Sequence, residues 1–112
     1  MRHKMKLGSV PFNKIASGTK VIESRLYDEK RQAISIGDEI IFCESDNLNN
    51  SFNTIVKDLL RHSSFLELFD SQDTSLFGST SKDELLAEVR QFYSEEDEHK
   101  YGVVGIKVEK MI

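Results

Sequence analysis

The chain carries the segment Gly18-Thr19-Lys20-Val21-Ile22-Glu23-Ser24-Arg25. Just before it, Pro11 stands near the start of a helical turn and Gly18 occupies the place where a helix usually ends. Val21 and Ile22 are strand-forming residues, so residues 20–26 are predicted to form a strand. The segment therefore predicts a short helix that leads directly into a strand carrying both acidic and basic side chains.

The three charged residues of this strand decide what chemistry it offers. On a regular strand Glu23 and Arg25 project to one face and Lys20 to the other, because side chains alternate. Lys20 follows the expected helix end so closely that it can precede the regular strand and swing its ammonium to the same side, and a bulge would have the same effect. Together they would offer a carboxylate acceptor for an amino group, and donors for a carbonyl, phosphate or oxyanion. The alternative is an ion network that orders the fold without any ligand.

The rest of the chain predicts several strands and short helices. Further strands are expected at residues 4–7 and 39–43, and a last one contains Val104, Ile106 and Val108. The pattern of residues 51–61 allows either a helix or a strand, and we favour a strand. Two capping boxes predict helix starts, Ser64 with Glu67 and Ser81 with Glu84. The second of these helices should bury one stripe of side chains, formed by Leu85, Leu86, Val89, Phe92 and Tyr93.

The segments between these elements complete the expected architecture. Residues 44–51 and 71–81 are predicted to be long loops, and residues 95–98 a solvated acidic turn. Strands and helices show no alternating βαβ order, so the pattern favours an α+β fold or a small barrel over an open parallel sheet.

Composition limits the class of protein. The chain has 112 residues, 38% of them hydrophobic, which predicts a single domain over residues 1–112. Cys43 is the only cysteine and is expected to be a buried apolar residue, and His3, His62 and His99 show no metal-ligand spacing. No apolar stretch approaches the roughly 18 residues of a membrane span, and the basic start does not continue as a signal peptide. We therefore expect a cytoplasmic protein without metal, cofactor or membrane contact.

Charge is unevenly distributed along the chain. The whole sequence carries 15 Lys and Arg against 19 Asp and Glu, a net charge of −4. Residues 1–31 hold eight Lys or Arg and three acids, 8 − 3 = +5, so the remainder carries 7 − 16 = −9. A basic third within an acidic protein indicates a site for an anion such as a phosphate or a nucleic-acid backbone, and the alternative is an ordinary solvated face.

The motif segment resembles the hallmark G-x-K-x-x-E-x-R of the ASCH domain, a branch of the PUA-like superfamily. The flanking stretches that share the resemblance are His3-Lys4-Met5-Lys6-Leu7, Gly37-Asp38-Glu39-Ile40-Ile41-Phe42, Ser64-Phe65 and Tyr101-Gly102-Val103-Val104-Gly105-Ile106. The resemblance implies a PUA-like β-pseudobarrel of five or six mainly antiparallel strands with two to four short helices. It also implies a cleft beside the motif that binds RNA, a nucleotide or a modified nucleoside, in a stand-alone protein of bacterial type.

Some members of this family resemble amidohydrolases that remove the acetyl group from N4-acetylcytidine with a lysine, a threonine and a glutamate. Lys20 falls on that lysine, but Glu23 takes the place of the threonine, and a carboxylate fits the nucleophilic route less well than a hydroxyl. The chain offers four acids as counterparts of the family's glutamate, and none matches its position: Asp70, Asp73, Asp83 and Glu84.

The leading hypothesis is an RNA- or nucleotide-binding domain with five ligand-binding residues, Lys20, Glu23, Arg25, Tyr27 and Arg31. Tyr27 and Arg31 are included because an aromatic ring beside cations suits a single-stranded nucleic acid, although loop solvation explains them equally well. One alternative is a hydrolase acting on nucleosides or RNA, an amidohydrolase or a ribonuclease, in which Lys20 and Glu23 would be catalytic. Another is a protein-interaction module that uses the acidic part of the chain.

Overall fold

The computed structural model describes residues 1–79 and 81–111. Its five strands form one curled sheet in the order β1-β3-β4-β5-β2. The strands are β1 (Arg2–Leu7), β2 (Ile22–Leu26), β3 (Glu39–Glu44), β4 (Asn47–His62) and β5 (Val103–Lys110). β1 pairs in parallel with β3, and the other pairings of the sheet are antiparallel.

Five α-helices and one 3₁₀ helix connect the strands of the described chain. The α-helices are α1 (Ser9–Ala16), α2 (Glu29–Gln32), α3 (Phe65–Asp70), α4 (Lys82–Phe92) and α5 (Glu95–Tyr101), and the 3₁₀ helix is Thr74–Phe77. Within residues 1–79 and 81–111, no helix has the length and apolar character needed to cross a membrane. The predicted α+β fold with a mainly antiparallel pseudobarrel is confirmed, with more short helices than the expected two to four.

The additional helices have local causes. α2 is a single turn that begins because the Asp28 side chain accepts a hydrogen bond from the Arg31 backbone N–H. The predicted acidic turn at residues 95–98 is in fact the first turn of α5, where the Ser94 side chain accepts from the Asp97 backbone N–H. Acidic residues in a first helical turn are favourable because the helix dipole is positive there. The charge run therefore begins a helix where a solvated turn was expected.

Both predicted long loops are shorter than expected. β3 ends at Glu44 and β4 begins at Asn47, so residues 47–51 belong to a hairpin in which Asn47 pairs with Glu44 and Ser51 with Cys43. In the other segment Asp73 caps the 3₁₀ helix by accepting from the Ser75 backbone N–H. Thr80, which also falls in this predicted loop, lies outside the described residues.

Two apolar clusters lie on the two faces of the sheet. Along β5, Val104, Ile106 and Val108 belong to an inner cluster that α1 covers with Phe12 and Ile15. Val103 belongs to an outer cluster, covered by α3 and α4. Cys43 is buried and free, as predicted. Because β1 and β2 are the two ends of the sheet, their edges leave a seam between α1 on one side and α4 on the other.

Candidate functional site

A cleft of about 410 Å³ lies at this seam. One wall comes from the end of β1 and from α1, the floor from β2 and the residues before it, and the opposite wall from α4 and the segment that ends at Gly78. Lys20, Glu23 and Arg25 all line it. The motif segment therefore forms the floor of the cleft.

The three motif side chains meet at a single carboxylate. Lys20 Nζ lies 2.8 Å from Glu23 Oε1, and Arg25 Nε donates to Glu23 Oε2 at 2.8 Å. β2 begins only at Ile22, so Lys20 is outside the regular strand and free of its alternation. The structure thus brings Lys20 to the side of the sheet where Glu23 and Arg25 lie.

Burial and neighbouring charges set the ionisation of this cluster. Glu23 is 6% exposed. Burial alone would raise the pKa of Glu23, but the adjacent Lys20 and Arg25 lower it below its usual value of 4.5. Burial alone would likewise lower the pKa of Arg25, but Glu23 raises it, and the Tyr93 phenol adds to the effect. Glu23 is therefore a stable carboxylate held between two cations.

Arg25 also ties the two edge strands together. Its Nη2 donates to the backbone carbonyl of Lys6 in β1 at 3.1 Å. One guanidinium thus engages a carboxylate in its own strand and the backbone of the strand across the seam. It fixes the width of the cleft at this point.

The segment that ends at Gly78 is held against the floor. Lys14 Nζ donates to the Gly78 carbonyl at 2.7 Å, and the Val21 backbone N–H donates to the Leu76 carbonyl at 2.9 Å. Gly78 has φ +82°, and a Cβ at this position would lie 3.0 Å from Lys20 Cβ. The close approach requires a residue without a side chain, and it limits the space around the stem of Lys20.

The rim of the cleft is apolar. Phe92 on α4 is 77% exposed and Val10 on α1 is 62% exposed, and both line the cleft. The prediction that Phe92 belongs to the buried stripe of α4 is therefore wrong, whereas Leu85 and Val89 are buried as expected. The buried stripe runs instead through Leu85, Val89 and Tyr93, whose ring lies 5.6 Å from that of Phe65, and it leaves Phe92 at the mouth of the cleft. Tyr93 follows Phe92, with the ring centroids 6.4 Å apart.

Tyr27 and Arg31 do not line this cleft. Tyr27 follows the far end of β2. The Arg61 guanidinium lies over its ring, 4.1 Å from the ring centroid, and Tyr27 borders a separate polar depression. The Arg31 guanidinium lies 3.3 Å from Asp28, the capping residue of α2. Tyr27 and Arg31 thus lie apart from the three motif side chains, because the length of β2 separates Tyr27 from Lys20, and their part in ligand binding stays a prediction.

The four candidate catalytic acids lie elsewhere. Asp70 pairs with Lys82, Asp73 caps the 3₁₀ helix, and Glu84 accepts from Ser79 Oγ at 3.0 Å. Asp83 is exposed in the first turn of α4.

Glu88 is the acid of α4 that lines the cleft. The sequence feature that could have identified Glu88 is its position one turn after Glu84 and next to Val89, on the flank of the buried stripe. The motif segment alone did not indicate it, because α4 lies far along the chain from Lys20.

The charged lining of the cleft has a positive balance. Among the described residues that line it, the cations are Lys6, Lys14, Lys20 and Arg25 and the carboxylates are Glu23 and Glu88. Four cations against two carboxylates favour an anionic occupant, in contrast to the net charge of −4 of the chain. Residues 1–79 and 81–111 contain no group of three or more His, Cys, Asp or Glu placed to hold a metal ion.

Solved structures share this fold. The crystal structure of hypothetical protein PH0355 is 40% identical in sequence, with a TM-score of 0.87, and the alignment covers 99% of this chain and 100% of that one. The solution NMR structure of protein PF0455 from Pyrococcus furiosus is 34% identical, with a TM-score of 0.76 and coverage of 99% and 98%.

A mutant of ZmASCH from Zymomonas mobilis is 12% identical, with a TM-score of 0.60, and the alignment covers 95% of this chain and 66% of that protein. At that identity the likeness concerns the fold alone. No curated protein matches the chain.

A family model settles the relationship that the motif segment indicated. The model of the ASCH domain matches residues 5–112, which includes all the residues that form the floor of the cleft. The expected bacterial origin stays a prediction. The chain belongs to the ASCH domain family.

Proposed function

We propose that the chain binds RNA or a nucleotide and holds one nucleotide unit in the cleft at the seam. The observation that carries this proposal is the combination of a charged floor, Lys20, Glu23 and Arg25, with an exposed aromatic rim at Phe92. A nucleobase has the matching shape, with an apolar face for stacking and a polar edge for hydrogen bonding.

The floor retains free hydrogen-bonding capacity after its own ion pairs are made. An ammonium has three donors and a guanidinium five, and each carboxylate oxygen has two acceptor sites. The Lys20 and Glu23 contact and the Arg25 contacts to Glu23 and Lys6 use only part of these. The remaining groups would read both donors and acceptors on the edge of a base.

The rim supplies a stacking surface. Phe92 is 77% exposed at the mouth of the cleft, so a large apolar face of its ring is in contact with water. Stacking of a base on Phe92 would cover that face, and Val10 would contact the base from the opposite wall. The cleft volume of about 410 Å³ lies within the range of small-ligand pockets, roughly 300–1,000 Å³, and suits one nucleotide.

The state of Glu23 supports binding over hydrolysis. A general base works best when its pKa lies near the working pH. The pKa of Glu23 is lowered, and both of its oxygens are engaged by cations. Such a carboxylate is a weak proton acceptor, so it serves as a hydrogen-bond acceptor for a ligand and as the counter-ion of Lys20 and Arg25.

A thermal-shift screen with nucleosides, nucleoside monophosphates and short RNAs tests this function. A ligand at about 100 times its Kd stabilises the native state by roughly 2.7 kcal/mol, which raises the Tm of a domain of this size by roughly 10 °C. Phe92→Ala should weaken binding of the best ligand roughly 5- to 150-fold, the value of one stacked base. Leu66→Ala on α3 is the matched control, because Leu66 is an exposed apolar helix residue that does not line the cleft. Equal effects of the two substitutions, or no stabilising ligand, would contradict the proposal.

A further inference from the structure

The outward face of β1 carries a row of cations. Along this strand Met5 and Leu7 are buried in the inner cluster, and Arg2, Lys4 and Lys6 are exposed. Alternation puts these three side chains on one face, with successive members about 7 Å apart, two residues of strand rise. The row ends at the cleft, because Lys6 is one of its lining residues.

Lys4 and Lys6, the two members of the row nearer the cleft, are free to bind an anion. Arg2 Nε lies 3.2 Å from Glu39 Oε2, so the far end of the row is neutralised. Within residues 1–79 and 81–111, Lys4 and Lys6 form no ion pair. Two uncompensated cations therefore lead out of a cleft whose own lining is positive.

We propose that this face of β1 binds the sugar–phosphate backbone of a single-stranded RNA, with successive phosphates on Lys6 and Lys4 and the adjoining nucleotide in the cleft. This inference rests on the proposed function of the cleft. The separation of the two lysines is close to that of successive phosphates in an extended strand. The ligand is accordingly a strand of at least two nucleotides, and a free nucleotide would use only half of the binding surface.

The backbone of β1 favours this occupant over an added peptide strand. A peptide that extended the sheet here would need the free backbone groups of the β1 edge. Arg25 already donates a hydrogen bond to the Lys6 carbonyl on that edge. The ammonium groups of Lys4 and Lys6 remain exposed for phosphates, and phosphate contacts position a nucleic acid without reading its sequence.

The test compares two probes with wild type and two single-lysine variants. The probes are a random-sequence RNA pentamer and an equimolar mixture of the four nucleoside 5′-monophosphates. Lys4→Ser removes one cation of the row, and Lys107→Ser is the matched control, an exposed strand lysine on β5 that does not line the cleft. Affinities are measured by titration at about 50 and 200 mM KCl, a range over which phosphate contacts weaken measurably.

We expect the pentamer to bind wild type roughly tenfold tighter than the monophosphates at the lower salt concentration, because more phosphates are neutralised. Lys4→Ser should remove one phosphate contact, which lowers the magnitude of the salt slope for the pentamer by about 0.7. Over this fourfold salt range the affinity of Lys4→Ser for the pentamer should therefore fall roughly 2.5-fold less than the affinity of wild type. Monophosphate binding should not change in Lys4→Ser, and Lys107→Ser should behave as wild type with both probes.

Two results would overturn the inference while leaving the proposed function in place. One is pentamer binding no tighter than monophosphate binding, with Phe92→Ala still weakening both. The other is an equal loss in Lys4→Ser and Lys107→Ser, which would indicate a general charge effect. If neither probe binds wild type, the proposed function of the cleft fails, and the strand-binding face fails with it.

Discussion

Arg25 of β2 and Lys6 of β1 are joined across the open seam of the sheet, by a hydrogen bond of 3.1 Å from the guanidinium to the backbone carbonyl. β1 and β2 are the two ends of the strand order, so no ladder of backbone hydrogen bonds connects them. A motif side chain therefore does two things: it closes the pseudobarrel and it supplies donors to the cleft. Stability and binding at this site are expected to be coupled.

Removal of Arg25 should destabilise the fold. Arg25→Ala leaves the buried Glu23 with Lys20 as its remaining cation and abolishes the bond across the seam. Breaking a buried ion pair from one side costs about 3–5 kcal/mol, and urea unfolding would measure it. Arg2→Ala is the matched control, because its exposed pair with Glu39 should contribute less than about 1 kcal/mol. Equal losses in the two variants would show that Arg25 does not hold the seam.

Protonation of Glu23 should account for part of the loss of stability in acid. Its pKa is lower in the folded chain than the usual 4.5, so its stabilising contribution is fully present above pH 4.5 and is lost as the pH falls through the folded value. The Tm of wild type should therefore drop more between about pH 7 and pH 3 than the Tm of Glu23→Gln. The pKa of Asp38 is also lowered, by hydrogen bonds from His3 and Ser35. Because Asp38 is present in both proteins, its effect on the Tm cancels when wild type is compared with Glu23→Gln. Parallel pH profiles of the two proteins would contradict the assignment.

Gly78 should be needed for the shape of the cleft as well as for its backbone conformation. Gly78→Ala should cost about 1–2 kcal/mol for a left-handed residue and should also push on Lys20, whose Cβ would lie 3.0 Å away. Gly37→Ala is the control, because Gly37 has φ +93° and a Cβ added there would enter open space. Chemical unfolding should show a loss in both variants, but ligand titration should show weaker binding in Gly78→Ala only. Unchanged ligand affinity in Gly78→Ala would remove the role of this segment as a wall.

The chain should not hydrolyse N4-acetylcytidine appreciably. The resemblance to the family's amidohydrolase-like members puts Glu23 in the place of a threonine, and its lowered pKa makes it a poor base for water. Chromatography of reactions with wild type and Lys20→Ala should show equal background rates. Glu23→Thr would place a hydroxyl near Lys20, and activity in that variant would identify Glu23 as the reason that wild type is inactive. Robust turnover by wild type that disappears in Lys20→Ala would instead promote the hydrolase alternative.

Local patterns in the sequence predicted much of the architecture. The alternation in β5 and the capping serines of α3 and α4 depend only on residues a few positions apart, and the structure confirms them. The helix end before Lys20 was visible for the same reason. The start of α5 was missed because its acidic residues indicate solvent exposure. The segment is helical because the Ser94 side chain caps it and because Glu98, which is buried, pairs with Arg90 at 3.0 Å.

The sequence by itself determined the α+β class and the presence of mixed charges in the motif strand, because periodicity and capping act over neighbouring residues. The resemblance of the motif segment indicated the family. Only the tertiary structure decided which of those charges share a cleft and what surrounds them. Phe92 has the spacing of a core residue, yet it is exposed at the mouth of the cleft. Tyr27 lies close to the motif in sequence but at the other end of β2. The position of a side chain relative to the end of a sheet depends on the packing of distant segments, and no local pattern encodes it.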